Sequence, residues 1–127
     1  MLDQFGAVNE RDFARAMSHY ADEVELVVDD EAFLDSGTFS GKEAVGEWFG
    51  NWFRTFEPGY RFEIEECREV KPGVVLLVAS HRGRGRASGA EVHGRTGYVY
   101  TLRDGKIIRA ELHTDRAAAL EAAGSSG

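Results

Sequence analysis

Cysteine, proline and long apolar runs are scarce in this sequence, and each shortage narrows what the chain can be. Cys67 is the single cysteine, so no intramolecular disulfide and no cysteine metal cluster can form. That composition fits a reducing compartment and predicts a cytoplasmic, soluble protein. The two prolines, Pro58 and Pro72, each precede a glycine and mark turns. No apolar run approaches the roughly 20 residues that span a bilayer, and MLDQFGAVNERDF lacks a basic lead followed by an apolar core, so no membrane association is expected. Basic charge is outnumbered, with 15 Lys and Arg against 22 Asp and Glu and a net charge of -7. No global field draws such a chain to nucleic acid, and the local run of Arg82, Arg84, Arg86 and Arg95 reads as a solvated or paired strand face.

What is present is material for one core. A length of 127 residues with 43% hydrophobic content supports a single domain over residues 1–124, followed by a disordered tail at 125–127. The organising stretch is Val74–His113, where arms rich in Val, Ile, Tyr and Thr are broken at Ser88-Gly89 and Asp104-Gly105. That pattern predicts a three-stranded antiparallel meander. Upstream, Tyr60, Phe62 and Ile64 alternate with charged residues as a strand that ends at Lys71-Pro72-Gly73. Val45, Trp48, Phe49, Trp52, Phe53 and Phe56 recur at spacings of three and four, which predicts an aromatic helix running to Pro58-Gly59. Ser40 and Glu43 match a capping box at its start.

Nearer the N-terminus, Leu2–Val8 has material for a helical turn or two. Phe13, Ala16, Met17 and Tyr20 predict an amphipathic helix, and Val24, Leu26 and Val28 a strand. The acidic segment 29–40 is expected to be an irregular loop at a cavity rim. At the other end, Asp115 is placed to cap a short helix over Arg116–Ala123, with Gly124 as a left-handed stop.

Turn chemistry fixes the register, and register fixes the faces. A two-residue Ser88-Gly89 loop sets Ala79 opposite Tyr98 and His81 opposite Thr96. A three-residue turn at Asp104-Gly105-Lys106 with a glycine bulge sets Tyr98 beside Ala110 and Thr96 beside Leu112. One face then carries Leu77, Ala79, His81, Thr96, Tyr98, Tyr100, Ile108, Ala110 and Leu112, ready to receive the aromatic helix. The other mixes Leu76, Val78, Val99 and Ile107 with Arg82, Arg95, Arg109, Glu111 and His113. With no helix left to cover its apolar residues, that face predicts a homodimer through sheet-to-sheet contact.

The segments Asn9–Leu26 (NERDFARAMSHYADEVEL), Ser40–Val45 (SGKEAV), Tyr100–Arg109 (YTLRDGKIIR) and Asp115–Gly124 (DRAAALEAAG) resemble the nuclear transport factor 2 superfamily, and within it the SnoaL-like domains. The resemblance implies an α+β fold: a cone-shaped half-barrel of curved antiparallel sheet, covered by N-terminal helices, that holds a small apolar ligand and is often dimeric. Aligned on that resemblance, the general-base Asp of steroid isomerases falls on Val28. Their oxyanion Tyr falls near Gln4, and their oxyanion acid falls on Tyr98. The Asp that polyketide cyclases and limonene-type epoxide hydrolases place near the last strand's end falls on Leu112. Only Tyr98 retains a hydrogen-bond donor.

The candidate site is therefore an apolar pocket binding a small hydrophobic molecule without metal or organic cofactor. His81 is the imidazole placed to move a proton near neutral pH, and Tyr98 the phenol placed to polarise an oxygen. Tyr20, Trp48, Trp52, Thr96 and Leu112 complete the lining, with the two Trp rings one turn apart and able to stack on a flat ligand. Asp29, Asp30, Glu31 and Asp35 match no calcium-loop spacing and read as a solvated rim, Asp35 being a remote acid candidate should the loop fold over the mouth. His93 and His113 are expected on the outer face. Isomerisation, cyclisation and hydration are the reactions in view; the competing class is a non-catalytic dimerisation or scaffold module.

Overall fold

A computed structural model describes residues 6–7, 10, 12–28, 37–56, 60–85, 87–114 and 116–125. Within them the chain forms α1 (Phe13–Met17), β1 (Tyr20–Val28), β2 (Gly37–Ser40), α2 (Lys42–Arg54), β3 (Arg61–Lys71), β4 (Val74–Arg84), β5 (Glu91–Arg103), β6 (Lys106–His113) and α3 (Arg116–Ser125). The six strands make one curved, open sheet in the order β2-β1-β6-β5-β4-β3. Neighbours run antiparallel except β1 and β6, which pair parallel. The α+β half-barrel expected from the sequence is the fold observed.

Both meander turns close differently from expectation, and the face assignments survive because each displacement of the β4–β5 and upper β5–β6 pairs is by two residues. On β4–β5, Gly85 rather than Ala87 meets Ala90 (N to O, 3.0 Å), since the Ser88 hydroxyl accepts from the Ala90 N–H at 3.1 Å and widens the loop. Ala79 thus lies opposite Thr96, and Leu77 opposite Tyr98. The second turn is a two-residue one, Asp104 and Gly105 both having positive φ (53° and 78°), and it pairs Arg103 with Lys106. Tyr98 therefore sits beside Leu112, not Ala110. The bulge falls farther up, between the Leu102–Ile107 and Thr101–Arg109 pairs, and it turns Ile107 rather than Ile108 into the core.

The inner face of the sheet carries Leu77, Ala79, Tyr98, Tyr100, Ile107, Ala110 and Leu112, and it packs with Val24, Leu26 and Val28 of β1 against Val45, Trp48 and Phe53 of α2. Gly41, with φ 93°, forms the N-cap of α2 and offers no side chain, so the Ser40–Glu43 capping box does not form. Helix α2 ends at Arg54, and Phe56 instead makes an isolated bridge with Gly85.

Three other elements differ from the sequence reading. Tyr20 begins β1 instead of ending α1, although its ring is buried as expected. Gly37–Ser40 is not part of an irregular loop but an edge strand paired with Glu25–Val28. Helix α3 continues through Gly124 to Ser125, and it lies on the outer face, where Ala119 and Ala123 bury Val74, Leu76 and Val99. The apolar part of that face is thus closed within the chain, which removes the reason for expecting a second copy to cover it. A bidentate pair from Arg116 to Glu66 (2.6 and 3.1 Å) ties α3 to β3 and lowers the Glu66 pKa, the Arg116 hydrogen bond being the main cause. The expected helical turn at Leu2–Val8, the acidic segment Asp29–Asp35, the Asp115 cap and the end of the tail fall wholly or mostly outside the described residues.

Candidate functional site

The site is assembled from two periodicities. On α2, Trp48 and Trp52 stand four residues apart and stack nearly parallel, with ring centroids at 5.9 Å and planes at 6°, while Phe49 meets Trp48 edge-on at 5.2 Å. On the sheet, alternation sends Thr96 and Tyr98 of β5 and Leu112 of β6 to the same side. These residues, with Tyr60 and Phe62, enclose a hollow of about 10 Å³ between α2 and the inner face. A space of that size holds one water at most. The aromatic stripe largely fills the volume that a ligand would need.

Polar side-chain chemistry in the lining is confined to three hydroxyls and two indole N–H groups. Trp52 donates through Nε1 to the Tyr60 hydroxyl at 2.9 Å. Tyr98 is 4% exposed, and burial pushes its phenol well above the ordinary tyrosine range. Tyr60 and Tyr20 nearby push it the same way, while a hydrogen bond with Thr96 acts in the opposite direction. Tyr98 is consequently a protonated donor at any physiological pH. None of the lining residues is a carboxylate.

His81 lies at the edge of this cluster. Its ring sits 5.6 Å from Tyr60, 6.2 Å from Phe62 and 6.3 Å from Trp52, and its Nε2 lies where a Cβ on Gly94 would meet it at 3.0 Å. Partial burial lowers its pKa from 6.5, with His93 adding to the effect, so the imidazole is neutral at pH 7. Its Nδ1 is buried with no hydrogen-bond partner among the described residues. His81 also lines a separate open groove of about 750 Å³ formed by β3, β4 and β5, together with Arg61, Phe62, Glu63, Ser80, Arg82, His93, Gly94 and Arg95.

Of the residues singled out from the sequence, the fold brings Trp48, Trp52, Thr96, Tyr98 and Leu112 around one hollow. Tyr20 is buried in the same core against Phe49, at 6.3 Å, and is not among the lining residues. His81 packs its ring on Trp52, Tyr60 and Phe62 of the same aromatic cluster but is not among the residues lining the hollow with Tyr98. Val28 and Leu112, the positions where the resemblance would put carboxylates, are register partners in the buried core.

The residue missed is Tyr60, fully buried at the centre of the cluster. Its signal was Gly83: a Cβ there would meet the Tyr60 Cα and Cβ at 2.9 Å, and a glycine inside a strand marks such an approach. Among the described residues, no group of three or more His, Cys, Asp or Glu is placed to hold a metal ion. Among them, too, no helix is long and apolar enough to cross a membrane.

Comparison with known proteins agrees with this architecture. The fold is shared with TerC, co-crystallised with polyporic acid, at 23% identity and a TM-score of 0.76, covering 98% of this chain and 95% of that one. An NTF2-like protein from Burkholderia thailandensis is similar at 24% identity and a TM-score of 0.79, covering 94% and 92%. A protein from Jannaschia sp., proposed as a SnoaL-like polyketide cyclase, is similar at 19% and 0.69, covering 91% and 79%. At these identities the likeness is one of fold. None of the proteins of curated function matches the chain. Residues 2–110 match the SnoaL-like domain family, and the chain belongs to that family.

Proposed function

We propose that the chain binds a small, flat, apolar molecule bearing at least one oxygen in the space between the Trp48–Trp52 pair and the inner sheet face. The observation that carries this reading is the composition of the hollow: aromatic walls in which Tyr60, Thr96 and Tyr98 are the only side-chain hydroxyls. Trp52 is half-buried and donates to the Tyr60 hydroxyl oxygen, so rotating it outward opens the hollow and brings a ligand oxygen within reach of the Tyr60 O–H. Tyr98, kept protonated by burial, donates to that oxygen or to charge developing on it. His81 is the neutral base in the same aromatic cluster, reached once Trp52 moves. Proton-transfer chemistry of the isomerase, cyclase or hydratase kind is what such a donor and base can perform without metal or organic cofactor. A cytoplasmic setting and residues 1–124 as the functional unit belong to the same reading.

A thermal-shift screen of steroids, terpenoids, aromatic polyketides and fatty acids tests it. The expected outcome is a saturable stabilisation that disappears in Trp52→Ala and Tyr98→Phe. Hits indifferent to both substitutions, or no hit at all, would refute it. The second reading, a scaffold with no ligand, draws on the small volume of the hollow, and a null screen beside a tight homodimer would favour it.

A further inference from the structure

The outer face of the sheet beyond α3 carries an arrangement that the inner hollow does not use. Arg61 lies directly opposite Arg82, and Arg82 directly opposite His93, so two guanidinium groups and an imidazole stand side by side across three strands. The adjoining row is Glu63, Ser80 and Arg95. All six line the groove of about 750 Å³. Like charges in direct cross-strand register are destabilising, and a carboxylate normally intervenes. Arg95 has one, Glu65 at 2.7 Å, and Arg15, Arg68, Arg109 and Arg116 likewise hold carboxylates within 4 Å. Arg61 and Arg82 hold none among the described residues.

We propose that this groove is an anion site for a phosphate-bearing small molecule, whose oxygens bridge Arg61 and Arg82. A monocarboxylate would leave one of the two charges uncompensated, whereas a phosphate dianion matches both and offers the oxygens that two guanidinium forks can grip. His93 and the Ser80 hydroxyl, which otherwise reaches only the Glu63 carbonyl at a long 3.4 Å, are further donors on the floor and wall. Glu63 at the rim disfavours a second anionic group on its side, so the rest of the molecule is neutral or cationic there. The groove's volume suits a compact organic phosphate. The site is independent of the inner hollow and stands whether or not that hollow takes a ligand.

Calorimetric titration of the full chain at low ionic strength tests the assignment, using inorganic phosphate, pyrophosphate and phenyl phosphate as probes. Saturable binding is expected, weakened at least about tenfold in Arg61→Gln/Arg82→Gln and unchanged in Arg103→Gln, which lies outside the groove. Tighter binding of phenyl phosphate than of inorganic phosphate points to an organic ester, and the reverse to the free anion. Without anion, the Gln double variant is expected to melt above the wild-type chain because the like-charge contact is gone. Arg61→Lys/Arg82→Lys, which keeps charge but loses the fork, is expected to bind with intermediate strength. Absence of saturable binding by all three probes, or binding that the Gln variant retains, overturns the proposal. So does a sedimentation experiment in which Arg82→Glu dissolves a wild-type dimer, since the face then belongs to a second copy.

Discussion

Replacing Trp48 by alanine probes the fold and the hollow together. Trp48 is 4% exposed, stacks on Trp52 and walls a void of only about 10 Å³, so little empty space stands ready to absorb a collapse. Truncating a buried aromatic side chain to Ala costs about 3–5 kcal/mol, and a residual cavity of about 100 Å³ accounts for about 2.4 kcal/mol of it at roughly 24 cal/mol per Å³. At about 3–5 °C per kcal/mol for a domain of this size, the midpoint of thermal unfolding should fall by roughly 10–20 °C. The cavity is lined by Phe49, Trp52, Phe62 and Leu112, with Tyr98 beneath, and should accept indole as a substitute for the missing ring. Indole at about 100 times its Kd would restore about 2.7 kcal/mol. Differential scanning fluorimetry with and without indole measures both quantities. A loss under about 1 kcal/mol, or an indole response equal to that of the wild-type chain, would refute the packing described for α2.

Three further outcomes follow from the same geometry. Gly83→Ala places a Cβ 2.7 Å from Tyr60 Cδ2 and 2.9 Å from its Cα, so a net loss of about 1–3 kcal/mol is expected from urea unfolding, despite the entropy that alanine saves in the unfolded chain. For His81, a folded pKa below the ordinary 6.5 means that the unfolded chain binds the proton first. Its contribution to stability is present above that value and is lost as pH falls towards the lower folded pKa; urea midpoints at about pH 7.5 and about pH 5 should therefore diverge less in His81→Phe than in wild type. Glu66→Gln loosens the Arg116 clamp, so amide exchange should quicken along Arg116–Ala123 while protection of β4 and β5 is unchanged.

Much of the fold was legible because the strongest signals are periodic. The 3.6-residue recurrence from Val45 to Phe53 and the alternation through β4 and β5 each place their residues on the side they occupy, and Leu77, Tyr98 and Leu112 share the inner face despite a displaced register. An even displacement preserves faces, whereas the bulge above the second turn adds one residue and exchanges Ile107 for Ile108. Long-range partners left no local trace. Nothing around Gly37–Ser40 reveals that β1 will pair with it, and the alanines of α3 do not say which side of the sheet they cover. The lining of the hollow followed from parity alone, but its volume did not, because filling depends on side-chain rotamers of Trp48, Trp52 and Phe49. The close approach of His81 and Tyr60 to the strands was equally hidden: it depends on the glycines at 94 and 83, which leave room for their rings.

The parallel seam between β1 and β6 has a consequence for the order of assembly. β1 is made before β2, β3, β4 and β5, yet its neighbour toward the centre of the sheet is β6, which follows all of them, with Leu26 aligned to Ala110 and Val28 to Leu112. Until that strand leaves the ribosome, the greasy side of β1 has only the short β2 hairpin and α2 for shelter. The nascent protein therefore passes through a window of exposed Val24, Leu26 and Val28, when a holdase would be most useful to it and ribosomal stalling before residue 106 most harmful.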